Sequence, residues 1–202
     1  MSVPVLIEKL KMRARRASKP LACLSRLLTS KDGVGAVEFA LIVPILLIIY
    51  LMSFEITVAI SITRKVTHAS SDIADLVTQK SSVDKAYLST MPNVARATLA
   101  PYSSNGLSLK ISGIAIDAAS VARIAWSWQS TGGAPYAVGS TTNIPSDLAM
   151  PNSFVVRSEL SLPYSLLLYL PGMSGTQTQS FTIKKDFYYR QRVGNSITCS
   201  DC

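Results

Sequence analysis

From Gly33 to Ile62 the chain reads GVGAVEFALIVPILLIIYLMSFEITVAISI, an apolar run charged only at Glu38 and Glu55 and bounded by Lys31 and Asp32 before it and Arg64 and Lys65 after it. A surface helix of a globular protein keeps a polar face, and this run has none. Eleven of the residues from Phe39 to Phe54 are Leu, Ile, Val or Phe, together worth about −3 to −7 kcal/mol at the centre of an inserted helix. A charged glutamate at full depth costs ~2.5–3.5 kcal/mol on the same kind of scale, so membrane insertion is the expectation. As a helix, Val34 to Thr63 would measure about 45 Å at ~1.5 Å per residue, more than a hydrocarbon layer of ~30 Å needs. The far end must therefore project into water or pack on the rest of the chain. Pro44 would break a helix in water, but inside a membrane neighbouring groups satisfy the freed carbonyl and the proline becomes a point for a kink.

The formal charge of +8 sits mostly ahead of this run: residues 1–33 hold eight Lys/Arg against Glu8 and Asp32, a net +6, which leaves +2 for residues 34–202. A basic flank directly before an apolar span marks the cytoplasmic side. The expectation is a single pass through a membrane, with the N-terminus cytoplasmic and the long C-terminal portion on the other side. No nucleic-acid partner is expected, because the basic cluster KLKMRARRASK lacks interleaved aromatics and lies within reach of the span. The opening VPVLI and the helically spaced Leu21, Leu24, Leu27 and Leu28 fit either an amphipathic helix on the leaflet or a leader that is removed. Met12 offers a second start. Across such a membrane Cys23 meets the reducing side, whereas Cys199 and Cys202 meet the oxidising side. This terminal C-x-x-C is read as a small disulfide loop, with free or redox-active thiols as the alternative. A four-ligand zinc site is not expected, since His68 is the single histidine.

Glu38 stands just inside the apolar run. An acid at that depth usually has a partner, most simply a positive charge at the same level; otherwise it is a headgroup-level charge with no special role. Cleavage after Gly33 would create such a partner in the amine of Val34, which in an assembly could neutralise Glu38 of another subunit. Asp32-Gly33, the following Val-Gly-Ala-Val, then Glu38, Phe39 and Ala-Leu-Ile-Val-Pro44 resemble the processing region of the TadE/TadG-like pseudopilins of tight-adherence (Flp) pilus systems. The resemblance covers about Lys31 to Val77. It implies a prepilin peptidase cutting between Gly33 and Val34, with glutamate fifth in the mature chain and an aromatic next, which makes Glu38 and Phe39 the assembly contact. Phe39 stands where the major pilin pattern has tyrosine, which implies a minor component. Gly35 is the alternative cut and would leave Glu38 third. The implied partners are membrane lipid, the prepilin peptidase, other pilins or pseudopilins and the pilus-assembly platform.

Beyond Ile62 the spacing of Val66, Ala69, Ile73, Leu76 and Val77 predicts that the same helix leaves the membrane as an amphipathic helix. His68 and Asp72 are read as a solvated helix pair rather than metal ligands. A second, smaller helix is expected over about Val83–Ala100, interrupted or restarted at Pro92. The period then changes to two. Leu107, Leu109 and Ile111 alternate with polar residues, and Ile114 and Ile116 resume on a shifted phase after Gly113, which suggests a bulge. A second strand over Val121–Gln129 would place Ile124, Trp126 and Trp128 on one face, either as core or as a partner-binding platform. Ser130–Asn152 reads as one long surface loop and contact region, with a short helix starting at Pro145-Ser146-Asp147. A third strand follows at Phe154–Leu162, and a fourth is marked by Phe181, Ile183, Lys185, Phe187 and Tyr189. The run LLLYL at Leu166–Leu170 is too short to span and would cover the core or an interface.

The expected fold is therefore α+β and pilin-like: a long transmembrane helix continuing as an amphipathic one, a small helix, and an antiparallel sheet of about four strands. Its domains would be a basic cytoplasmic leader (1–33), a transmembrane helix (34–62) and an extracytoplasmic domain (63–202). No phosphate-cradling loop, G-x-S-x-G element or metal-ligand pair is present, and the spacing of Asp117, Asp147 and Glu159 pairs none of them. Neither enzymatic activity nor a metal or cofactor is expected. The function expected is that of a minor pseudopilin or pilus-assembly protein. The alternatives are an uncleaved signal-anchored adhesin or binding protein, and a secretory protein cut near Thr57-Val58-Ala59.

Overall fold

The computed structural model describes residues 33–166 and 180–202. The leader with its Met12 and Cys23, and all of the LLLYL run after Leu166, lie outside the described residues. Helix α1 spans Val34–Thr78 in one piece and continues through Pro44. The chain divides into two units at Leu51/Met52. In the first, every described side chain from Gly33 to Leu51 is exposed except half-buried Val43.

The second unit, Met52–Cys202, is organised on α1. Ile62, Val66, Ala69, Ile73 and Val77 recur at three- and four-residue steps and are all buried, whereas Arg64, His68 and Asp72 between them are exposed. Burying each large apolar side chain of this stripe contributes ~1.5–3 kcal/mol. After α1 the chain makes a two-residue strand β1 (Ser82–Val83) and then helices α2 (Lys85–Leu88) and α3 (Met91–Leu99). The helix expected from Val83 begins at Lys85 instead, and it restarts at Met91-Pro92 as expected. Asp84 ends the strand segment and caps α2, accepting from the Tyr87 N–H at 2.7 Å, and Pro92 falls in the first turn of α3, where its missing N–H costs nothing.

Four strands follow: β2 (Ser108–Ile116), β3 (Ala122–Gln129), β4 (Ser153–Ser165) and β5 (Ser180–Arg190). They form one antiparallel sheet in the order β3-β2-β4-β5, so the α+β architecture matches the expectation. One face packs on α1. There Leu109, Ile111, Phe154, Val156, Leu160, Leu162 and Ile183 join the helix stripe in the main core. A final short strand β6 (Thr198–Cys199) runs parallel to β1, and Ile197 before it is buried in the same core. The C-terminal segment is thus bound to the body rather than being a loose polar tail.

A bulge falls at Gly113/Ile114 in the β2–β3 ladder, where it was expected, but β2 itself pairs with β4 in unbroken register from Ser108↔Ser161 to Ile116↔Ser153. The extra residue is Ala125 on β3, because Gly113 pairs with Trp126 while Ile114 pairs with Ile124. The shifted phase after Gly113 has another cause: Ile114 and Ile116 face away from α1 into a second apolar cluster with Ala122, Ile124 and Val155. The bulge also separates Ile124 from Trp126 and Trp128, which were expected on one face. Both tryptophans lie in the main core with α1, and Trp126 Nε1 donates to the Ile197 carbonyl at 2.7 Å.

Gly113 is required by this arrangement. A Cβ there would meet the Trp126 indole at 2.4 Å and the Phe154 ring at 2.7 Å, contacts too close for any side chain beyond hydrogen. Gly113→Ala is expected to destabilise the second unit by about 1–3 kcal/mol through overpacking. A lowered thermal midpoint of the full chain in detergent, followed by tryptophan fluorescence, is the measurement that checks it.

Candidate functional site

The residues singled out at the start of the apolar run occupy the first turns of α1. Gly33 precedes the helix and its carbonyl accepts from the Val37 N–H at 3.1 Å, so Val34 is the first helical residue. Gly33, Val34, Glu38 and Phe39 are all exposed, and nothing lies within 4 Å of where a Gly33 Cβ would be. Among the described residues α1 is the one helix long and apolar enough to cross a membrane, and none of its most apolar stretch is buried by them.

The second acid of the run, Glu55, has a different environment. It is 5% exposed and its Oε1 accepts a hydrogen bond from the Tyr164 hydroxyl at 2.5 Å. Burial first, then the hydrogen bond and charge of Glu55, push the Tyr164 phenol up to about 12. Sequence reasoning missed this pair, although both halves left a signal. Glu55 stands seven residues before Ile62 and so falls on the buried stripe. Tyr164 shares its parity with Phe154, Val156, Leu160 and Leu162, which sets it on the inward face of β4, where a hydroxyl needs a partner.

On the opposite face of the sheet a polar network adjoins the second cluster. Tyr136 donates to Glu159 Oε2 at 2.7 Å. Arg157 Nε lies 3.1 Å from Glu159 Oε1, its Nη1 donates to Thr142 Oγ1 at 3.2 Å, and its guanidinium stacks 4.7 Å from the Tyr136 ring. Burial, followed by the bond to Glu159, raises the Tyr136 phenol to about 12. The network and the packing of Tyr136, Ile144 and Leu148 on the second cluster tie residues 130–152 down onto the sheet. That segment is a cover with a 3-10 turn at Ser146–Leu148 more than a free contact loop.

Cys199 and Cys202 are joined as a disulfide. With Asp201 they form the one described group of three acid or thiol side chains close enough to hold a metal, but the bond takes up both sulfurs. Asp201 instead accepts from the Lys85 N–H at 2.8 Å, at the start of α2. His68 and Asp72 are both exposed on α1.

Residues 33–75 match the family model described as TadE-like protein. No curated protein and no solved structure matches the chain. The matched segment takes in Gly33, Val34, Glu38, Phe39 and nearly all of α1, and it ends before the sheet. It is consistent with a TadE-like protein of tight-adherence pili and with association with other pilus components.

Tyr164→Phe takes one donor from a buried carboxylate and is expected to cost about 1.5–3 kcal/mol, read as a lower urea midpoint. The phenols of Tyr164 and Tyr136 hold their protons to higher pH in the native state than the ordinary value of 10.0. Their contribution is therefore complete below about pH 10 and is lost as pH rises through about 12. Absorbance titration of the phenolates should show one fewer late-titrating tyrosine in Tyr164→Phe than in the wild type.

Proposed function

We propose that the chain is a minor pseudopilin of a tight-adherence pilus system, anchored in the inner membrane by the first part of α1, with residues 63–202 in the periplasm. A prepilin peptidase cuts the precursor after Gly33, leaving Val34 as the new N-terminus and Glu38 as the fifth residue. The single observation that carries this reading is the TadE-like match over a helix whose most apolar stretch is unburied among the described residues. A helix left bare in this way needs lipid or other helices around it. Transfer from bilayer to neighbouring pilin or pseudopilin helices keeps it out of water throughout assembly.

In this scheme Gly33 and Val34 serve processing, while Glu38 and Phe39 serve assembly. The Glu38 carboxylate lies one helical turn from the new amine and pairs with the Val34 amine of an adjacent subunit, which sets the axial register. The assembly platform and the secretion machinery supply the driving force, and the role is not catalytic. An oxidising periplasm maintains the Cys199–Cys202 loop. A signal-anchored adhesin, the alternative, would have to present the long loop, since both Trp126 and Trp128 are core residues.

N-terminal sequencing of the membrane-bound form is the direct test, with Val34 expected as its first residue. A form beginning at Met1 or Met12 would end the processing claim. Glu38→Gln is expected to leave membrane association intact and to reduce surface piliation at least tenfold, counted by electron microscopy. Normal piliation in that variant would favour an uncleaved, non-pilin role.

A further inference from the structure

Where α1 meets the end of the sheet, the second unit holds an open cavity of about 390 Å³, within the ~300–1,000 Å³ range of ligand pockets. Val58 and Ile62 of α1, Tyr102 and Leu162 of β4 line it, together with the exposed Ser103 and Asn105. More of its lining is apolar than polar. We propose that this cavity takes one acyl chain of a bilayer phospholipid, with the headgroup held at the Ser103/Asn105 mouth. The inference rests on the reading of α1 as a membrane anchor and adds a lipid site to it.

Three observations favour a lipid over a water-soluble ligand. Phe54, one helical turn before Val58 and on the same face of α1, is exposed, so apolar surface leads along the helix to the cavity. Val58 lies four residues past Phe54, about 6 Å along the helix. If Phe54 ends the hydrocarbon core, that distance falls in the headgroup layer, which adds ~5–7 Å on each side. Lys65 supplies the charge. Its ammonium donates to the Ala100 carbonyl at 2.6 Å and the Thr98 carbonyl at 3.2 Å and sits 5.9 Å from the Tyr102 ring centre. A cation fixed over Tyr102, the residue next to Ser103, complements a phosphate there. Apolar walls, a hydroxyl and amide mouth, and a fixed cation are the chemistry that an amphiphile requires.

The test uses the full chain in liposomes of phosphatidylethanolamine and phosphatidylglycerol, doped with a phospholipid carrying a diazirine at the end of one acyl chain. Irradiation is expected to label peptides containing Tyr102–Asn105 and Leu162–Ser165 as well as the Ile42–Phe54 helix. Val58→Trp, which fills the cavity, should reduce labelling of the first two at least fivefold without changing the third. Ser103→Trp, on an exposed loop where folding is not at risk, should do the same by closing the mouth. Label confined to the helix, label on the loop unaffected by both substitutions, or equal loop labelling by a water-soluble diazirine would each overturn the lipid site while leaving the anchor in place. An unlabelled Ile42–Phe54 segment would remove the anchor reading, and this inference with it.

Discussion

Water cannot solvate the stripe that α1 carries from Ile62 to Val77 without cost, and the four-stranded sheet is what covers it. Small residues let the two approach. Ala69, Ser70 and Ala74 lie on the covered face, and the Ser70 hydroxyl reaches the Ser158 carbonyl of β4 at 2.9 Å. Further along the same face, Tyr164 meets Glu55. A carboxylate taken out of water demands donors, so this contact specifies how far along the helix the sheet can sit. At the other end Asp75 pairs with Arg192 at 2.5 Å, beyond the end of β5. Helix and sheet are therefore held at both ends by polar contacts and in the middle by apolar ones.

The sheet's second face must be dealt with separately, because nothing on α1 can reach it. Its apolar half, built on Ile114, Ile116, Ile124 and Val155, is covered by Tyr136, Ile144 and Leu148 from the long β3–β4 connection. The connection also pairs with the outer edge of β3 near Ala122–Ile124 through backbone hydrogen bonds from residues 139–142, so that part of the edge is not left open. The bulge at Ala125 makes both faces compatible with one strand. It turns Ala122 and Ile124 toward the outer cluster while Trp126 and Trp128 stay with the helix.

Much of this was legible in the residues. The three- and four-residue steps from Ile62 to Val77, the change to alternation at Leu107 and the turn-rich stretch after Gln129 each identified an element, and four strands follow the helices as read. The N-terminal motif was also legible, since Gly33, Glu38 and Phe39 lie close together in sequence and the family match falls on the same segment. Which strand carries the bulge was not. An alternation that slips by one residue looks the same whether the strand is bulged or its apolar residues pass from one core to another. The choice depends on the partner strands.

The sequence by itself determined a long, uniformly apolar helix, its amphipathic continuation, and an α+β order of elements, because each follows from residues close together along the chain. Only the tertiary structure decided that Glu55 is a buried partner of Tyr164 and not merely a misplaced charge, that both tryptophans are core, and that the long connection is a cover. It also gathered Val58, Tyr102 and Leu162 around one cavity. These depend on contacts between residues as many as 109 apart in the chain, as in the Glu55–Tyr164 bond, and periodicity carries no information about which distant segment a side chain will meet.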